Sequence, residues 1–174
     1  MAEFRINDNT AGDQRCPAAA PGKDAGFIVA WGSSGGTGDV GWDVYARRFD
    51  ASGGALAPSF RVNDQTSGYQ GYFSPKIASF ADGSFAVTWW SFGNSMDTGS
   101  DVWSRVFDAN GSPLALSFKV NDVVGGDQDW SKIVSLKNGD FVVTWGSSDA
   151  TKDVEGEYIC ACVSCQWKSA GFFV

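Results

Sequence analysis

Histidine is absent from the 174 residues of the chain. With it go His-dependent triads, His general bases and the usual His-bearing zinc and copper sites. Methionine (2), cysteine (4) and proline (5) are scarce. No apolar run reaches the ~18 residues of a membrane-spanning helix. Met1 to Arg15 is too polar for a signal peptide, so the expectation is a mature or truncated chain, or one exported within a longer parent. Basic residues number 13 against 20 acidic ones, a net charge of −7. A nucleic-acid partner would need a basic footprint to exchange for counterions, and an anionic membrane is disfavoured by the same sign of charge.

What the chain has is glycine (22), tryptophan (8) and a 43% hydrophobic fraction. Such a composition describes a folded protein of many short strands joined by tight turns. The stretch Ala78 to Ser91, ASFADGSFAVTWWS, shows how. Phe85, Val87 and Trp89 alternate with Ala86, Thr88 and Trp90, the period of a strand with one heavy apolar face. Asp82-Gly83 before them is the pair best suited to supply positive φ to a tight hairpin turn. The pattern recurs at Val134 to Ser147, with Asn138-Gly139 at the turn, and more loosely at Lys23 to Ser33. Three copies of one hairpin imply three copies of one unit.

Each unit reads as opening with the same strand: Phe4-Arg5-Ile6-Asn7-Asp8, Phe60-Arg61-Val62-Asn63-Asp64 and Phe118-Lys119-Val120-Asn121-Asp122. Apolar, charged, apolar makes a half-buried strand, and Asn-Asp stops it by bonding nearby backbone. A loop with Gly12-Asp13-Gln14, Gly68-Tyr69-Gln70 or Gly126-Asp127-Gln128 leads to the hairpin. An acidic, Gly/Ser-rich loop follows, and then a fourth strand, Val44 to Phe49 or Val102 to Phe107, which ends at Asp50-Ala51-Ser52-Gly53 or Asp108-Ala109-Asn110-Gly111. The repeats cover about 1–58, 59–116 and 117–174 within a single domain, and the last departs from the pattern after Tyr158. The expected fold is all-β: three four-stranded antiparallel repeats without helical periodicity.

As a set, F-[RK]-[IV]-N-D, G-D-Q, D-G-x-F-x-V-T-W and [YW]-[AS]-R-x-F-D-A-x-G resemble the tandem repeats, roughly 55 residues each, of large secreted bacterial proteins, including calcium-dependent adhesins and repeat-in-toxin proteins. The resemblance covers nearly the whole chain to about Tyr158. It implies propeller-like blades, an extracellular location and a binding or matrix role, and it supplies no catalytic residues. Because propellers close with about 4 to 8 blades, three blades leave closure open. The possibilities are a homodimeric six-blade ring, a three-fold β-prism or trefoil, a fragment of a longer array, or end-to-end polymerisation through unpaired edges.

Two side-chain sets could carry function. Trp31, Trp89 and Trp145 share one repeat position and read as core. Trp42, Tyr45, Trp90 and Trp103 are the candidates for ligand contact, in or beside loops that also hold Tyr69, Tyr72 and Trp130. Sugars stack their C–H faces on such rings while Asn, Asp, Gln and Arg take the hydroxyls. In the acidic loops Asp39, Asp43, Asp97, Asp101, Asp153 and Glu155 recur at similar places and could gather the hard oxygens calcium requires, although solvated loops explain them as well and no loop matches an EF-hand. Gly35 to Asp39 resembles a repeat-in-toxin turn with the aspartate one residue early.

Cys16, Cys160, Cys162 and Cys165 suit disulfides in an extracellular β protein, with incidental free thiols or a weakly spaced metal site as alternatives. Joining Cys16 to the tail would tie the ends of the array together. Paired carboxylates could hydrolyse glycosides without histidine, but nothing marks one pair among the 20 acidic residues. The sequence therefore points to a non-catalytic, secreted binding or adhesion module with glycans as ligand class and calcium as the one candidate cofactor. The runner-up is a scaffold or filament subunit that binds other copies of itself, and a sialidase-like hydrolase comes third.

Overall fold

A computed structural model describes residues 3–35, 41–72, 75–93, 99–122 and 125–148, and the backbone of 158–163. Twelve strands form three antiparallel sheets, and the only helical element among the described residues is a 3₁₀ turn at Lys23–Ala25. Sheet one holds β1 (Gln14–Pro21), β2 (Phe27–Ser33), β3 (Asp43–Phe49) and β4 (Phe60–Arg61), paired in that order. In sheet two, β5 (Tyr69–Gln70) and β6 (Lys76–Ser79) both pair with β7 (Phe85–Phe92), which is followed by β8 (Ser100–Phe107) and β9 (Phe118–Lys119). Sheet three is β10 (Asp127–Ser135), β11 (Phe141–Ser148) and β12 (Tyr158–Val163).

The register corrects the frame of the repeat. Phe60–Arg61 pairs with Tyr45 and Ala46, and Phe118–Lys119 with Trp103 and Ser104, so the Phe-x-Val-Asn-Asp strand closes the sheet before it and does not open the next. Asparagine chemistry explains the placement. Asn63 Oδ1 accepts the Val44 amide at 2.8 Å while its Nδ2 donates to Asp43 Oδ1 at 2.7 Å, and Asn121 treats Val102 and Asp101 in the same way at 2.8 Å each. Both asparagines are 1% exposed, so each satisfies groups that water cannot reach.

The hairpin turn is also one residue longer than the Asp82-Gly83 pairing predicts. Gly83 N–H donates to Phe80 O, and the Phe80 amide in turn bonds Ser84 O. Only the glycine takes positive φ, at 84°; Asp82 instead accepts from the Ser84 amide and hydroxyl. This is a type I turn completed by a glycine bulge, and Gly139, Gly53 and Gly111 repeat it.

Alternation along the strands builds the core. Phe85, Val87 and Trp89 face sheet one and pack on Ile28, Ala30, Val44, Ala46 and Val62. Ala86, Val102 and Val106 on the opposite face meet Phe141, Val143 and Trp145 of sheet three. The sheets therefore stack face to face in chain order, with sheet two buried on both faces. Their first strands touch in series, β1 against β6 and β6 against β10. Sheet one's remaining face, with Val29, Trp31 and Phe49, is covered by the N-terminal segment through Ile6.

Candidate functional site

One end of the stack gathers the Gly-x-Gln loops and the ends of β2 and β7. Each loop is anchored by its glutamine, whose Oε1 accepts the core tryptophan Nε1 of the same sheet: Gln14 from Trp31 at 2.8 Å, Gln70 from Trp89 and Gln128 from Trp145 at 3.0 Å. The three repeated tryptophans are thus core residues whose one polar atom fixes the loop above them. The first strands bulge immediately afterwards, between Arg15 and Ala18 and between Asp129 and Lys132. Cys16 (φ 54°) and Trp130 (φ 53°) take the left-handed conformation there, rare for side chains of their size. Bulges of this kind re-aim side chains at the rim of a sheet.

Two hollows result. The first, about 570 Å³, lies over sheets one and two and is lined by Asp13, Arg15, Ser34, Trp42, Tyr69, Tyr72, Trp90 and Phe92. The Arg15 guanidinium sits 5.1 Å over the Trp42 ring and 5.6 Å from the Tyr72 ring. It bonds Asp13 Oδ2 at 2.7 Å and Tyr72 Oη at 3.3 Å, and the Asp13 carboxylate holds the guanidinium firmly protonated. Trp42 meets Tyr72 edge-on at 4.9 Å, and Tyr72 meets Tyr69 edge-on at 6.3 Å. The second hollow, about 370 Å³, lies between sheets two and three, with Lys76, Asp127, Asp129, Trp130, Ser131 and Lys132.

Trp90 and Phe92 line both hollows. Two apart on β7, they share a face, and their rings stack at 6.0 Å with 9° between planes. Phe92 is 45% exposed and Trp130 72% exposed, so broad apolar surface is open to solvent at this end. Lys76 is pushed below the ordinary lysine range by burial and then by the neighbouring charge of Lys132.

The four aromatics singled out from sequence separate in space. Trp42 and Trp90 line the first hollow, although Trp42 is only 7% exposed because Arg15 and Tyr72 cover its ring. Tyr45 lies on sheet one's outer face, 6.5 Å from Trp31. Trp103, the equivalent residue of sheet two, packs into the core between sheets one and two, and its buried Nε1 has no acceptor among the described residues. Arg15 and Phe92 are the site residues that sequence reasoning missed. A Trp-x-Phe pair at the end of a strand was the available signal for Phe92.

Of the acidic set, Asp39, Asp97, Asp153 and Glu155 lie outside the described residues. Asp43 and Asp101 are 3% and 7% exposed and serve as acceptors for Asn63 and Asn121, with Lys119 Nζ 3.6 Å from Asp101. Among the described residues no group of three or more Cys, Asp or Glu is placed to hold a metal ion. Cys16 is half-buried on β1 without a described bridge. Cys160 and Cys162 are described in backbone alone, and Cys165 lies outside the described residues.

No family model matches the chain, and no curated protein does. Among solved structures the chain is similar to the endo-arabinase from Bacteroides thetaiotaomicron VPI-5482, with a TM-score of 0.53 at 13% identity over 86% of this chain. The match spans 55% of that enzyme's length. A likeness at this identity concerns the β fold alone.

Proposed function

We propose that the chain is a non-catalytic, extracellular glycan-binding module built of propeller-like blades, and that sugars bind at the aromatic rim of the two hollows. The blade reading rests on the face-to-face stacking of meander sheets whose first strands run side by side. The glycan reading rests on one observation above the others: the stacked Trp90–Phe92 pair stands between two hollows, each with charged groups around it. A pyranose or furanose ring offers an apolar C–H face to such a platform and hydroxyls to Arg15 and Asp13 on one side, or Lys76, Asp127 and Asp129 on the other. Arabinan fragments are the first probes to use, because the similar solved structure is that of an endo-arabinase. Titration of tryptophan fluorescence with arabino-, xylo- and gluco-oligosaccharides tests the proposal: a saturable change in the wild type that Trp90→Ala weakens at least about tenfold supports it, and no change with any of the three counts against it.

Hydrolysis is the second reading. Asp127 and Asp129 alternate on one strand and line the same hollow, and glycosidases need two carboxylates about 5 to 10 Å apart. Release of reducing ends from arabinan, lost in Asp127→Asn and in Asp129→Asn, would replace the binding reading with an enzymatic one.

A further inference from the structure

The N-terminal segment is docked on sheet one in the way that Phe60 to Asp64 is docked on sheet two. Arg47 Nη1 donates to Ile6 O at 3.0 Å and its Nε to Ala57 O at 3.0 Å; Arg105 does the same to Val62 O at 2.8 Å and Ala115 O at 2.9 Å. Asp8 Oδ2 accepts the Ser59 amide at 2.8 Å, as Asp64 Oδ2 accepts that of Ser117 at 2.9 Å. Phe4 lies 5.8 Å from Phe49, and Phe60 lies 5.5 Å from Phe107. Even the local turn is shared: Asn7 Nδ2 bonds Asn9 O at 2.6 Å, and Asn63 Nδ2 bonds Gln65 O at 2.6 Å.

One difference separates the two segments. Phe60–Arg61 is hydrogen-bonded into a sheet, with the Val62 amide donating to Val44 O at 2.8 Å, whereas Phe4 to Asp8 joins no sheet among the described residues. The Oδ1 of Asn7 likewise receives no donor there, where Asn63 and Asn121 each take a backbone amide. The other end of the stack has the complementary lack. Sheet three has three strands, and among the described residues nothing pairs with the far edge of β12. Phe4 at 51% exposure and Val134 at 56% exposure leave apolar surface at both ends.

We propose that Phe4 to Asp8 of one copy is the fourth strand of sheet three in a second copy. Backbone register specifies the pairing. Tyr45 stands opposite Trp31 and Arg61, and Trp103 opposite Trp89 and Lys119. In sheet three the residue opposite Trp145 is Cys160. Arg5 of the second copy therefore pairs with Cys160, Phe4 with Ala161, the Ile6 amide donates to Ile159 O and Asn7 accepts from the Ile159 amide. Strand addition supplies main-chain bonds for orientation, and stacking sheet three on the outer face of sheet one removes apolar surface from water. Among the described residues every copy has one strand to give and one edge to fill, so two copies close reciprocally or many extend head to tail. This inference rests on the repeat geometry and is independent of the glycan reading.

Arg5→Cys tests it, because the exposed position 5 would then face Cys160 across the new pair. Mixed isotope-labelled and unlabelled protein is incubated with oxidised glutathione, which accepts the two electrons and two protons of disulfide formation, and is then digested without reduction. The expected result is a peptide joining position 5 to Cys160 between labelled and unlabelled copies, absent in Arg5→Cys combined with Cys160→Ser. Wild-type sedimentation should show a dimer or a concentration-dependent series. A link confined within single copies, a link to another cysteine, or a wild-type mass that stays at 18.5 kDa at every concentration overturns the proposal.

Discussion

Trp89 donates its indole N–H to Gln70 Oε1 at 3.0 Å, and the two side chains are 0% and 1% exposed. This bond ties the hydrophobic core of sheet two to the loop that carries Tyr69, and its counterparts do the same in sheets one and three. Gln70→Leu leaves a buried donor without an acceptor and should cost about 1–3 kcal/mol. Gln14→Leu should cost less, because Gln14 is only partly buried. Urea unfolding of the two variants measures the difference, and equal costs would deny the loop anchor its dependence on burial.

Asn63 holds the end of sheet one's closing strand to β3 by serving the Val44 amide and the Asp43 carboxylate together. Asn63→Ala removes both bonds from a buried site and should cost about 1–3 kcal/mol, since the buried Val44 amide loses its acceptor. Asn7→Ala, at the equivalent place without a sheet beside it, should leave the unfolding of a dilute sample nearly unchanged. Denaturant melts at low protein concentration compare the two.

Acid should loosen the joints between repeats first. Burial pushes the Asp8 and Asp64 carboxyls up, but the serine hydroxyl and amide bonds and the nearby arginine outweigh it, so both lie below the ordinary 3.8. A carboxyl with a lowered folded value binds fewer protons folded than unfolded, so its contribution is complete above about pH 4 and is lost as pH falls through the folded value. Unfolding followed from pH 6 to pH 2 should show this loss, and Asp64→Asn should flatten the acid limb. Asp50, lowered chiefly by the Ser52 hydroxyl, titrates in the same direction from an exposed turn.

Gly99 joins sheet two to sheet three at the hollow-bearing end. Its φ is 147°, and a β-carbon there would stand 2.0 Å from Gly126 O. Backbone cannot yield as a flexible side chain can, so Gly99→Ala should destabilise the chain by about 2 kcal/mol or more. The same change at Gly125, also at positive φ but with nothing within 4 Å, separates conformational strain from the clash. Thermal melts of both variants report it.

Strand identity was legible in the sequence because alternation is a local property: Phe85, Val87 and Trp89 had to share a face wherever that face pointed. Sheet membership was not local. Phe60 to Asp64 reads equally well as the first strand of one repeat or the last of another, and its pairing with β3, together with the bond from Asn63 back to Val44, decides. The site was half legible for the same reason. Trp90 beside a loop was visible, whereas Arg15 over Trp42 depends on a bulge that brings two distant stretches together. Tyr45 and Trp103 share a repeat position, yet one lies on the outer face and the other between sheets, a difference that repeat position alone does not carry.

The most direct test of glycan binding at the aromatic rim is fluorescence titration of the wild type and Trp90→Ala with a panel of neutral oligosaccharides that includes arabinan fragments. The expected result is saturable binding by the wild type and at least about tenfold weaker binding by Trp90→Ala, the loss of ~1.4 kcal/mol of ring contact. Equal binding by both proteins would move the ligand away from the hollows. No binding by either would contradict the glycan reading and leave the strand-bearing ends of the stack as its working surfaces.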